Sequence, residues 1–399
     1  MIIIFNILML LLAGWFLRRR LKVYDYVLNH LALFSFVWLF IIIGAQLAYP
    51  GKIDDESVIL YYTCFFSYLL GSSILKMPRY ETVKQRYYNF STLNIIIFLL
   101  FVLGLIANYD LLNKVVFNFS SLDAWVSMRT KQEFEEVDES NIFKALFQRS
   151  YLIYIPLALF CVKNKKMSKL IFVGLIIVGI MISLLRFTRA PFLQLLIMLL
   201  ISYVYIYRVM IPVKTILISV FVTIGVFAAS QLLLLGDKAS INDITKEINL
   251  YLFGGLYVFQ DITDGKYLDS NSYDIGYYTF DAFNYILEKL GMIDSYPSYV
   301  REWSGRLMTN TYTFLDAFTL DFGIIGALLG SLIIGLFSDY CYRLVKQNHN
   351  NLFNIIFYGY ICYFNVFVFA NNEFIRFPVL LTMVILLIIN FFTKKITYE

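Results

Sequence analysis

Long, nearly uninterrupted apolar runs recur along the whole chain, divided by short polar or basic connections and by two longer polar segments. A run of about 20 apolar residues matches the ~30 Å hydrocarbon thickness that one helix must cross. None alternates with the two-residue period of an outer-membrane barrel strand, and a helix satisfies its own backbone in lipid. The pattern therefore predicts eleven helical spans, at roughly 1–17, 31–49, 58–75, 91–107, 145–162, 170–185, 190–207, 214–235, 314–337, 352–370 and 375–392.

These spans define three regions. Residues 1–235 would hold the first eight spans, with an external loop at about 108–144; residues 236–313 a large external loop with amphipathic helices; residues 314–399 the last three spans. The 108–144 loop is acidic around Glu133, Glu135, Glu136, Asp138 and Glu139. A solvated face explains it, and a lid over a sugar substrate is the alternative. Within the large loop, Tyr277 to Met292 sets Phe280, Phe283, Leu287 and Leu290 at three- and four-residue spacing, the mark of an amphipathic helix. It could lie in a membrane interface or pack against its own spans.

Composition agrees with a membrane chain: of 399 residues, 60% are hydrophobic and 15% charged. Charge sets orientation, because Lys and Arg beside spans stay in the cytoplasm. With the start of the chain outside, the inner connections gather Arg18, Arg19, Arg20, Lys163, Lys165, Lys166, Lys169 and their like, and the net charge of +5 is an asymmetry across the membrane. The basic residues follow the first apolar run and do not precede it, so a first span is expected in place of a cleaved signal. Cys64, Cys161, Cys341 and Cys362 lack ligand spacing, and Asp54, Asp55 and Glu56 read as a polar turn, so neither a metal site nor a cofactor is expected. No glycine-rich phosphate loop or nucleic-acid signature is present.

Candidate chemistry then falls on the outer side. Arg186 and Arg189, three apart and followed by Pro191 at a helix start, form an anion site against the positive-inside tendency. Snorkelling into headgroups is the simpler account. A second stretch, from Pro297 onward, carries Arg301, Glu302 and Arg306, followed by Asp316 and Asp321 beside an apolar run. Acids at that depth are functional candidates. Gly323, Gly326 and Gly330 put small residues on a helix face, as close packing requires.

The run TNTYTFLDAFTLDFGIIGALLGSLIIGL, Thr309 to Leu336, resembles the loop-to-membrane return of bacterial oligosaccharide repeat-unit polymerases, the Wzy or O-antigen polymerase family. LLRFTRAPFLQLLI, Leu184 to Ile197, resembles their arginine-bearing junction. The resemblance implies an all-α polytopic membrane protein with a GT-C-like polymerase or ligase architecture, facing the periplasm from the bacterial inner membrane. It implies glycosyl transfer from an undecaprenyl-diphosphate-linked oligosaccharide onto a lipid-linked repeat unit, for O-antigen, lipopolysaccharide or capsule. Arg186, Arg189, Arg301, Arg306 and Arg376 would bind the diphosphate, and Asp321, Glu302 or Glu373 would serve as general base. Membrane lipid and a chain-length regulator would be partners.

The alternatives are an O-antigen ligase, a lipid-linked oligosaccharide flippase and a structural membrane protein. His30 and His349 fall on the inner side, which disfavours the ligase. The scarcity of mid-span charge and of internal symmetry disfavours the flippase.

Overall fold

The computed structural model describes residues 2–75, 87–110, 112–113, 142–185, 189–212, 214–215, 218, 225, 241–265, 276–293, 313–348, 351–369 and 377–395. In chain order the helices are α1 (Ile2–Arg20), α2 (His30–Ala48), α3 (Asp55–Ile74), α4 (Phe90–Ala107), α5 (Ile142–Phe147), α6 (Tyr151–Lys163), α7 (Lys169–Leu185), α8 (Arg189–Tyr207), α9 (Ile241–Thr263), α10 (Asp281–Lys289), α11 (Leu315–Gln347), α12 (Leu352–Phe367) and α13 (Phe377–Thr393). Two two-residue strands, β1 (Tyr87–Tyr88) and β2 (Lys394–Lys395), pair antiparallel.

Local chemistry starts several of these helices. Asn29, Asp54 and Asn89 stand at N-cap positions, and their side chains accept the backbone N–H of Ala32, Ser57 and Thr92. Asp55 and Glu56 then occupy the first turn of α3, where the helix dipole favours negative charge. The acidic triplet 54–56 thus begins a helix.

The expected eleven-span architecture is corrected here. Among the described residues, four helices are long and apolar enough to cross a membrane: α2, α3, α4 and α11. Among the described residues the apolar parts of α6, α7, α8, α12 and α13 run 10–17 residues, at or below the lower end of what one span needs. Helix α6 shows why hydropathy misled. From Tyr151 to Leu159 every one of its residues is buried, so its apolar character serves packing against protein. The multi-pass inner-membrane location and the periplasm-facing polymerase architecture fall with the span count. The expected span at 214–235 lies almost entirely outside the described residues.

The chain divides into two compact units. The first comprises Met1–Arg79, Ser240–Leu344 and Ile361–Leu380, and the second Tyr80–Ala239, Val345–Tyr360 and Leu381–Glu399.

In the first unit, α3 and α11 meet backbone to backbone. A Cβ at Gly71 would strike the Leu332 carbonyl, one at Gly335 would strike the Tyr68 carbonyl, and the Ser67 hydroxyl donates to the Leu328 carbonyl at 2.8 Å. Only glycine permits that approach. Polar groups also tie α1 to α2 and α3: Asn6 Nδ2 donates to Gln46 at 2.8 Å, and the Tyr62 hydroxyl donates to Asn6 at 3.0 Å.

Helix α11 is broken at Gly323, whose φ of 63° and ψ of −159° belong to glycine alone. The break turns 315–322 back along 324–330, so that the Phe318 carbonyl and ring face Gly326 and Gly330. Of the small-residue face expected at Gly323, Gly326 and Gly330, Gly326 and Gly330 meet Phe318 of the preceding turn of the same helix, whereas Gly323 is the break itself and has no neighbour within 4 Å of a Cβ.

The second unit is built differently. Helix α6 packs against α4, α7 and α8. The Asn89 N–H donates to Thr393 at 3.1 Å beside the β1–β2 pair, and the Tyr88 hydroxyl accepts the Leu352 N–H at 2.8 Å.

Candidate functional site: buried charge in the first unit

Among the described residues, every buried charged side chain belongs to the first unit: Asp261, Asp316, Asp339 and Arg343. Burying charge is costly without partners, so these positions are where chemistry or tightly specified structure is concentrated.

Asp339 lies wholly out of solvent, and Arg343, one helical turn later, is 5% exposed. Both the Nε and Nη2 of Arg343 reach Asp339 Oδ2 at 2.7 Å. The other carboxylate oxygen accepts the Tyr24 hydroxyl at 2.9 Å. Arg343 also donates to the Leu75 carbonyl, and Arg20 Nη2 donates to the Ser72 carbonyl at 2.7 Å. Two arginines therefore satisfy carbonyls at the C-terminal end of α3, where the helix dipole places negative charge. Burial first, and the neighbouring Asp339 carboxylate second, push the Tyr24 phenol well above its ordinary range. It remains a proton donor at any physiological pH. The Asp25 N–H donates to the Tyr342 hydroxyl at 3.0 Å, and the His30 ring stands edge-on to Tyr24 at 5.4 Å.

The second cluster holds the acids singled out from sequence. Asp316 is buried, and its Oδ1 accepts the Thr313 hydroxyl at 2.8 Å. The Phe314 N–H is tied to the Val368 carbonyl at 2.9 Å, fixing the entry to α11. Asp321, half-buried just before the Gly323 break, accepts the backbone N–H of Tyr278 at 3.2 Å and of Thr279 at 2.6 Å. This carboxylate thereby clasps the turn that opens α10. Asp261 and Gln260 are buried near the end of α9, where Gln260 Oε1 accepts the Asp54 N–H at 3.2 Å.

An aromatic column joins the two clusters. Phe314 packs edge-on to Phe34 and Trp38, Phe34 stacks on Tyr68 at 3.6 Å, and the Tyr68 hydroxyl donates to Asn365 at 2.7 Å. Asn365 in turn donates to Ser338 at 3.1 Å, beside Asp339. Buried polar networks of this kind fix a single packing when each member is satisfied.

Of the arginines expected to bind diphosphate, Arg186, Arg301, Arg306 and Arg376 lie outside the described residues, as do Glu302 and Glu373. Arg189 opens α8, but its side chain also lies outside the described part of the structure. Asp321 alone of the site residues is described in full. The apolar pattern alone did not single out the Asp339–Arg343 pair. The available signal was their i,i+4 spacing inside a strongly apolar stretch.

No protein-family model, curated protein or solved structure matches this chain. With four long apolar helices among the described residues in place of eleven spans, and no family match, the resemblance to Wzy polymerases is corrected. The polymerase, ligase and flippase functions drawn from it are withdrawn.

Proposed function

We propose that this protein contacts membrane lipid through the outward apolar sides of its helices and takes a polyprenyl-diphosphate-linked oligosaccharide as its ligand. The observation that supports lipid contact is the number of large apolar side chains facing outward on long helices. Leu47 on α2 is 78% exposed and Phe98 on α4 is 63% exposed, with Phe36, Ile95, Ile106 and Leu329 also exposed on α2, α4 and α11. Large apolar side chains left exposed along a helix mark an interaction face on that helix, and helices of 18–20 residues have the length of a bilayer core.

The ligand class rests on the sequence alone. Arg186 with Arg189, and Arg301 with Arg306, are forked donors suited to diphosphate. Glycosyl transfer from that lipid-linked donor to an acceptor hydroxyl is the reaction such arginines would serve: the bond from the anomeric carbon to the diphosphate breaks, a bond to the acceptor oxygen forms as that oxygen loses its proton, and the arginines stabilise the departing diphosphate.

Two measurements test the reading. The protein should sediment with membranes and stay there through alkaline carbonate extraction; release into the supernatant defeats lipid contact. Purified protein should bind a synthetic polyprenyl-diphosphate glycan and release polyprenyl diphosphate from it. Arg189→Ala or Arg301→Ala should weaken this by about tenfold or more, as loss of a charged hydrogen bond does. Unchanged binding in both variants defeats the ligand assignment.

A further inference from the structure

We infer that α10, with the turn before it, is an interfacial anchor whose outward face lies at the headgroup boundary of a phospholipid bilayer. This rests on the lipid-contact reading above and adds a depth and a place to it. Helix α10 is amphipathic, and its inward side is fixed: Tyr278 and Ala282 are buried, and the Asp321 carboxylate holds the Tyr278 and Thr279 N–H groups. The Thr279 hydroxyl adds a bond to the Ala317 carbonyl at 3.3 Å. Its outward side is apolar and open. Phe283 is 57% exposed, and Phe280, Leu290, Met292 and Ile293 are exposed with it.

The continuation of that face identifies its cover. Phe280 and Phe322 each sit one residue from the Asp321 clasp, and Phe322, Ile324 and Ile325 are exposed at the start of the long apolar stretch of α11. The apolar side of a short, charge-bearing helix therefore runs into the outward side of a helix long enough to cross a bilayer. Asp281 and Glu288 are half-buried on α10 itself, a charge content that the acyl interior excludes and the headgroup region accepts. A short amphipathic helix joined at its edge to a candidate span is placed at the interface plane.

The full-length protein tests this after reconstitution into phosphatidylcholine–phosphatidylglycerol vesicles. Cys64, Cys161, Cys341 and Cys362 are buried, so a polarity-sensitive fluorophore on Phe283→Cys or on Phe98→Cys reports one site at a time. The Phe283→Cys label should emit as in an apolar medium. It should be quenched more by lipids spin-labelled near the headgroup than by lipids labelled near the acyl end. Water-like emission from Phe283→Cys with lipid quenching at Phe98→Cys overturns the anchor and leaves lipid contact standing. Water-like emission at both positions overturns the two together. Apolar emission at Phe283→Cys without quenching by either spin-labelled lipid, together with self-quenching of the fluorophore that is relieved when labelled protein is diluted with unlabelled protein, assigns the face to a second copy of this chain and overturns the anchor.

Discussion

The two units solve the problem of an apolar chain in opposite ways. In the first, buried acids are held by donors: Asp339 by the Arg343 guanidinium and the Tyr24 hydroxyl, and Asp316 by the Thr313 hydroxyl. In the second, the buried polar residues among those described are neutral, such as Asn108, Ser150, Gln194 and Ser202, while Lys165, Lys166, Lys169 and Arg208 stay exposed. Charge is admitted to an interior only where hydrogen bonds and an opposite charge offset desolvation. At Asp339 the first unit supplies both, so its packing there is specified by polar geometry as well as by shape, and substitutions there should be felt more.

The largest effect is expected at the α3–α11 crossing. Gly335→Val places a branched side chain against the Tyr68 carbonyl, and the protein should fail to accumulate in folded form, as read by protease resistance and thermal melting. Next, Arg343→Ala leaves Asp339 buried beside Tyr24 alone and should cost about 3–5 kcal/mol. The double variant with Asp339→Ala should lose less than the two single losses combined, because no stranded charge remains. Additive losses would mean the pair is not coupled. Gly323→Ala imposes a conformation that alanine rarely adopts and should cost about 1–3 kcal/mol. Asp321→Ala should cost a similar amount, about 1–3 kcal/mol, by stranding two backbone N–H groups. The smallest effect is expected in the second unit, where a Cβ at Gly359 would meet the flexible Met198 side chain, with Sδ at 3.0 Å. Gly359→Ala should change stability by under about 1 kcal/mol. A loss there as large as that of Arg343→Ala would erase the distinction between the units.

Helix positions were legible from the apolar pattern. Spans expected at 31–49, 58–75 and 91–107 coincide closely with α2, α3 and α4. What apolar runs could not disclose is what each helix faces. Helix α6 and helix α4 read alike in sequence, yet α6 is buried along most of its length while α4 exposes Ile95, Phe98 and Leu99. A buried core helix and a lipid-facing one share the same composition, and length separates them only when the ends are known.

The site was partly legible. Asp316 and Asp321 stood out as acids beside an apolar run, and both make defined hydrogen bonds. Tyr24 could not be connected to Asp339, because their bond spans 315 positions of chain. The signal for Asp54 was local: a carboxylate three residues before Ser57 at the head of an apolar run is an N-cap pattern.

The backward fold at Gly323 has a kinetic meaning as well. Phe318 finds its resting place on Gly326 and Gly330, only eight and twelve positions further along. Such near-neighbour closure needs little loss of chain entropy. This hairpin of helix can therefore assemble soon after its last glycine is synthesised, and give distant segments a ready-made surface on which to settle.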